Sequence, residues 1–343
     1  MKSVKIFAVL AIIVLCVQSV ASELYLEPIQ QVAYVQFSHL ACCEDYIFVA
    51  KDKGLYVFSQ SLGTLLAVAE VPGNVKDIAA CRRGRSYYVY VTWEKGLVIY
   101  RLFYDYRLNL RRDLRELGRY GFAGAGRIIG VFGPYIYISG RDGLYVIEVS
   151  KPENPRQLGY TSAAGFGCVS YPDAFITSDY WSFTILDISD PRDPYKVGHY
   201  SLPQDIDGIA DISASGSYLF LAYNGPSLSD YFIRIIDISQ ISNPTQVNEL
   251  SWFSLINDIV VVDNYLFTVG DEFKVIDISD VTDPCLLGYY VEGYSEVCVS
   301  DFYAYAIGRD GLDVFDLRGV FEEQSEPVTV IPSTWGEIKT RFK

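Results

Sequence analysis

Seven segments of this 343-residue chain are near copies of one another. They are Gly54-Leu-Tyr-Val-Phe58, Gly96-Leu-Val-Ile-Tyr100, Gly143-Leu-Tyr-Val-Ile147, Phe183-Thr-Ile-Leu-Asp187, Ile233-Arg-Ile-Ile-Asp237, Phe273-Lys-Val-Ile-Asp277 and Gly311-Leu-Asp-Val-Phe315. They recur about every forty residues, and a second strand-like run precedes each, as in Tyr46-Ile-Phe-Val-Ala50, Tyr218-Leu-Phe-Leu-Ala222 and Tyr303-Ala-Tyr-Ala306. A period near forty that holds about four such runs predicts an all-β fold, a seven-bladed β-propeller. The 28 Tyr and 19 Phe agree with that reading, because aromatic residues fit a pleated, half-buried surface.

The clearest repeat shows the expected blade. Cys168-Val-Ser is a short inner strand, Ala174-Phe-Ile-Thr a second, and Phe183 to Ile188 a third that is apolar almost throughout. Ser189-Asp-Pro-Arg-Asp-Pro is a turn, and Lys196-Val-Gly-His-Tyr200 an outer strand that leaves His199 at the surface. The Asp in Asp187-Ile-Ser, Asp237-Ile-Ser and Asp277-Ile-Ser is placed to satisfy turn amides, and the prolines that follow stop the ladder. Blade two inserts a stretch from about Phe103 to Asp113. Its arginines Arg107, Arg111, Arg112, Arg115 and Arg119 are read as pairing with Asp105, Asp113 and Glu116.

The string Leu-x-ϕ-ϕ-Asp-ϕ-Ser-x-Pro-x-x-Pro-x-x-ϕ-Gly-x-Tyr, where ϕ is apolar, is similar to the LVIVD-repeat proteins. The resemblance covers about residues 28 to 318 and is strongest between Gly143 and Asp316. It implies a secreted or surface β-propeller and supplies no catalytic residue. A ring must also close, or its first and last blades expose edges. Pro28-Ile-Gln-Gln-Val-Ala-Tyr34 mirrors Pro155-Arg-Gln-Leu-Gly-Tyr160, so the N-terminal strand is expected to complete the last blade.

Both ends of the chain differ from the repeats. Lys2 and Lys5 precede an apolar run from Ile6 to Val17, and Ser19-Val20-Ala21 follows. The run is too short to span a bilayer and reads as a signal peptide cleaved after Ala21. The expected domains are a signal peptide at residues 1–21, the propeller at 22–318, and a linker with a short helical tail at 319–343. In that tail, Thr334 to Glu337 is read as a capping box that opens a helix; the expectation is a helix docked on the propeller's side, and the alternative is a recognition tail for an envelope partner. The expected location is secreted, periplasmic or on the cell surface, with no transmembrane segment.

The net charge of −14 becomes more negative when Lys2 and Lys5 are removed, which disfavours nucleic acid as a partner. Six cysteines remain beyond the leader, and an oxidising compartment permits disulfides. Cys43 and Cys81 follow inner-strand positions of neighbouring blades and are one candidate pair. The alternative is that the cysteines are buried thiols acting as small apolar groups.

One position could carry chemistry. Seven residues before the second strand opens stand His39, Ile128, Gly167, Asp211, Asp258 and Glu296, and Asp77 opens the same run in blade two. These side chains are expected to ring one mouth of the central channel. Asp211, Asp258, Glu296, Asp77 and His39 then form a candidate site for Ca²⁺. The alternative gives each acid to capping its own or the next blade. Loops on the same face bring Trp181, Tyr180, Trp252, Phe253, Tyr294 and Phe166 together as a binding face for a protein or glycan partner in the cell envelope. Phe37 and Phe122 lie on similar loops. There are two His and no Gly-x-Ser-x-Gly elbow. The favoured reading is therefore a non-catalytic binding module. The alternative is a metal-dependent hydrolase or lactonase with a divalent cation at the channel mouth.

Overall fold

A computed structural model describes residues 24–28, 30–33, 36–60, 63–104, 112–122, 125–140, 142–162, 167–171, 174–178, 181–202, 208–225, 227 and 230–322. These residues form seven sheets, antiparallel apart from one added strand, numbered here in chain order by their inner strands. The inner strands are His39–Cys43, Val75–Arg83, Ala125–Phe132, Gly167–Tyr171, Gly208–Ser215, Ile256–Val262 and Tyr294–Ser300. In sheets one to six the chain then runs outward through a second, a third and an outer strand. The architecture is a β-propeller.

The third strands are buried at their centres because each lies between two neighbouring sheets. Seven apolar clusters fill those spaces, one for each neighbouring pair. Sheets one and two share Phe48, Val57, Val89 and Tyr100. Sheets four and five share Phe183, Ile185, Leu219 and Ile236. Sheet seven meets sheet one through Tyr305, Val314, Ile47 and Phe58. A side chain that leaves water on both faces of its strand gives the continuous apolar run seen in the sequence.

The repeating turns hold as read. Asp187 Oδ1 accepts the Ser189 amide at 2.8 Å, Asp237 Oδ1 the Ser239 amide at 2.7 Å, and Asp277 Oδ1 the Ser279 amide at 2.8 Å. The Ser189 and Ser239 hydroxyls, and then these amides, hold Asp187 and Asp237 below the usual carboxylate range. The glycine of the outer strand has a separate role. A β-carbon at Gly198 would stand 1.8 Å from the Ile241 carbonyl in the turn of the next sheet, and one at Gly159 would stand 2.2 Å from the Pro191 carbonyl. Two backbones touch there, and only hydrogen fits. In sheet five the equivalent residue is Asn248, whose Nδ2 donates to the Val281 and Thr282 carbonyls at 3.1 Å each.

The first and last described segments meet at sheets six and seven. Gln30–Ala33 pairs antiparallel with the third strand of sheet seven, Gly311–Asp316, where an outer strand belongs. Leu24–Tyr25 does something the sequence did not suggest: it adds to sheet six as a fifth strand, parallel to Cys285–Tyr290. Leu26 between them is buried in the core of sheets six and seven.

Arg318–Glu322 is a short helix, although a linker was expected from Gly319. Val320 is buried, and Phe321 packs on Tyr265 and Phe302, which fastens this end to the same two sheets. The rest of the expected tail, with its Thr334 capping box, lies outside the described residues, as does the leader at 1–21. No helix among the described residues is long and apolar enough to cross a membrane. The blade-two insertion lengthens the flanking strands, Gly96–Tyr104 and Arg112–Gly121. Two of its arginines pair as expected, Arg115 with Asp113 and Arg119 with Glu116, while Arg107 and Arg111 lie outside the described residues.

Candidate functional site

The inner strands form the wall of the channel, and each leaves one edge without a ladder partner. An amide there needs an acceptor from elsewhere. The ring acids supply it. Asp77 Oδ2 accepts the Ile128 amide of sheet three at 2.8 Å, and Asp211 Oδ2 accepts the Ile259 amide of sheet six at 3.0 Å. Asp258 Oδ2 accepts the Val297 amide of sheet seven at 2.8 Å, and Glu296 Oε2 accepts the Leu40 amide of sheet one at 2.8 Å. Each carboxylate therefore reaches sideways to the next sheet.

A β-bulge directs these side chains. The register shifts between Val75 and Asp77, Ile209 and Asp211, Ile256 and Asp258, and Tyr294 and Glu296. An extra residue immediately before the acid bends the strand and re-aims the side chain that follows. The first sheet pairs His39 with Ala50 without such a shift.

The ring holds a residue that counting along the sequence missed. In sheet three the register also shifts between Ile128 and Gly130. That second bulge moves the ring position back by one, so it is Arg127, not Ile128. Arg127 Nη1 lies 3.9 Å from Asp211 Oδ1. Burial works against its charge, but Asp211, Asp77, Asp258 and Glu296 together hold it protonated. Gly167 has no side chain to offer at the corresponding point of sheet four.

The electrostatics follow from burial in company. Burial, then the charges on Asp211 and Glu296, push Asp258 well above the usual range, and it shares a hydrogen bond with Asp211. Asp211 is 8% exposed and is also raised, chiefly by burial. Burial and Glu296 raise Asp77 to about 6. His39 Nδ1 lies 3.2 Å from Glu296 Oε1; burial alone would lower its pKa, but Glu296 reverses the sign and raises it. The five residues read from the sequence do share one ring. Among the described residues, however, no group of three or more His, Cys, Asp or Glu side chains converges as a metal cage.

The expected aromatic face is described only in part. Tyr180 and Phe166 lie outside the described residues, as do the side chains of Trp252 and Phe253. Trp181 is 56% exposed on its loop. Tyr294 is 3% exposed and its hydroxyl donates to Asp313 Oδ2 at 2.8 Å, so it packs beneath the face instead of standing on it. Phe37 is likewise buried, against Tyr56 and Phe58.

Tyr294 belongs to a pocket of about 390 Å³ at the seam of sheets six and seven. Its walls are Pro28, Gln30 and Gln31 of the N-terminal segment, Tyr290, Glu292 and Tyr294 at the junction, and Gly308, Arg309, Asp310 and Asp313 of the last hairpin. Asp313 is raised by burial, and by Glu292 and Asp310, although the Tyr294 hydroxyl works the other way. Sequence reading missed this pocket because its walls come from opposite ends of the chain.

Comparison with known proteins places the fold. Residues 123–160, 174–201, 208–251 and 256–292 match the LVIVD repeat. No curated protein matches the sequence. Among solved structures, the chain is similar to Kuenenia stuttgartiensis hydrazine synthase, at a TM-score of 0.63 and 14% identity, covering 83% of this chain and 96% of that one. It is similar to the Cps50 (Swd1) β-propeller domain of Myceliophteria thermophila, at a TM-score of 0.63 and 9% identity, covering 85% and 99%. It also resembles the computationally designed Ika8 protein, at a TM-score of 0.55 and 12% identity, covering 85% and 98%. Identities this low establish a shared fold and nothing about activity.

Proposed function

We propose that this chain is a non-catalytic binding module of the cell envelope, exported on residues 1–21, that captures a protein or glycan partner on its loop face. The observation that carries this reading is the pocket between sheets six and seven. It is concave, and it sets the carboxylates Glu292, Asp310 and Asp313 beside the rings of Tyr290 and Tyr294. Carboxylates next to aromatic faces suit a lysine or arginine side chain, through charge and through cation–π contact. The strongly acidic chain draws such a partner in.

The seven sheets act in this reading as seven blades of one closed ring, and Gln30–Ala33 is its latch. The ring at the channel mouth serves that closure. Its acids already accept backbone amides, and Arg127 supplies positive charge where a bound cation would have to sit. That arrangement supports a structural role for the acids over a Ca²⁺ site or a metal-dependent hydrolase.

Titration calorimetry with short lysine- and arginine-containing peptides, and with neutral oligosaccharides, tests the binding reading. Peptide binding should weaken as salt rises and fall at least tenfold in a Glu292→Gln, Asp310→Asn variant. Binding of neutral sugars alone, unaffected by that variant, would move the site toward Trp181. Failure of both probes would contradict the reading.

A further inference from the structure

We propose that Cys42 and Cys298 are a disulfide site that covalently closes the ring between its first and last sheets. Cys42 lies on the inner strand of sheet one and Cys298 on that of sheet seven. Both side chains pack against the cluster that sheets seven and one share, so they point toward each other across the seam. Cys42 is among the neighbours that raise the Cys298 thiol, as a side chain facing it across the seam would. Glu296 on the Cys298 strand accepts the Leu40 amide of the Cys42 strand, and Gln60, just after the third strand of sheet one, donates to the Ser300 carbonyl, so sheets one and seven are tied near the pair.

The repeat gives an independent measure of the approach. Cys298 stands two residues beyond Glu296, and Cys42 two beyond Leu40. The equivalent residues in sheets five and six are Ser213 and Val261, and there Ser213 Oγ accepts the Val261 amide at 3.0 Å. A side chain at this position therefore reaches the neighbouring backbone, which is the proximity a disulfide needs. The pair expected from the sequence is not placed this way. Cys43 packs between sheets one and two, and Cys81 packs between sheets two and three with its thiol on the Tyr90 hydroxyl; all four thiols, Cys42 and Cys298 included, are in the reduced form here. Sheet two stands between Cys43 and Cys81, so they cannot bridge.

The oxidant is a small-molecule disulfide, RSSR. Burial pushes the Cys298 thiol well up, so Cys42 is the one that gives up its proton and attacks RSSR first. That attack forms a mixed disulfide and releases one thiolate, RS⁻. Cys298 then gives up its proton and displaces the second RS⁻. Two protons and two electrons pass from the pair to RSSR, which leaves as two RSH. An exported chain would meet such an oxidant. The bridge spans most of the chain, so it restricts the unfolded state strongly.

The full chain should be treated with oxidised glutathione, alkylated without reduction, digested and mapped by mass. The expected product is one cross-linked peptide joining Cys42 to Cys298, 2 Da lighter than the separate peptides, with Cys43 and Cys81 still alkylated. The melting temperature should rise by several degrees and return when dithiothreitol is added. The rise should vanish in Cys42→Ser and persist in Cys43→Ser. The map on the unaltered chain keeps the test valid if a variant misfolds. Alkylation of both Cys42 and Cys298 after oxidation, or a link from either to another cysteine, would overturn the proposal.

Discussion

At the scale of single residues, the repeat is explained by what each recurring side chain must touch. The outer-strand glycine recurs because a neighbouring turn presses on it. Gly198→Ala should lower stability by about 1–3 kcal/mol, since the new methyl would meet the Ile241 carbonyl and both backbones would have to part. Chemical denaturation reads this directly, and an unchanged midpoint would rule out the contact. The ring acids give a second prediction. Asp77 has a folded-state pKa of about 6, above its unfolded value, so the folded chain binds protons more tightly there and loses stability as pH rises from about 4 to 6. His39 is also raised, so its contribution is present below its unfolded pKa and is lost as pH rises through the folded one. The chain should therefore melt higher at pH 5 than at pH 7.5. Asp77→Asn should remove a share on the order of 2–3 kcal/mol. Below about pH 4 the trend reverses, because Asp187, Asp237 and Asp280 are held low by their turn bonds and lose them on protonation. A melt that falls steadily from pH 7.5 to 5 would contradict this account.

At the scale of elements, the N-terminal segment does two jobs. Gln30–Ala33 pairs with the third strand of sheet seven, and Leu24–Tyr25 pairs with the outer strand of sheet six. Deleting residues 24–36 should abolish a single cooperative melt, because two sheet edges are exposed and the core of sheets six and seven loses Leu26 at once. Retention of a sharp transition would remove the latch from the account. The mirror between Pro28–Tyr34 and Pro155–Tyr160 made the first job legible in the sequence. The second left no mark, because a two-residue parallel pairing needs no side-chain pattern. Strand order was legible through period and burial. The ring was legible except at sheet three, where a second bulge before Gly130 displaced the position by one and hid Arg127. A bulge is a backbone event, and an isolated strand sequence does not announce it. The short helix Arg318–Glu322 was missed for a different reason: five residues are too few to show a helical period, and Val320 and Phe321 gain their meaning only from sheets six and seven.

At the scale of the whole molecule, the sites are made by closure. The Cys42 and Cys298 pair, the His39 and Glu296 contact, and the pocket around Asp313 each join residues more than two hundred positions apart. None of these could be read from local sequence. The channel ring was visible locally, and what the structure adds is where its oxygens point. The acids face the amides of the next sheet, and Arg127 stands among them. In the proposed function, the ring at the channel mouth is structural and the pocket around Asp313 is the binding site. The most direct test of that separation is the thermal melt of residues 22–343, unaltered and as an Asp211→Ala, Asp258→Ala variant, each with Ca²⁺ and with EDTA. The account predicts that the variant melts several degrees lower in both solutions and that Ca²⁺ shifts neither protein. A Ca²⁺-dependent rise of several degrees in the unaltered chain, lost in the variant, would contradict it and make the ring a cation site.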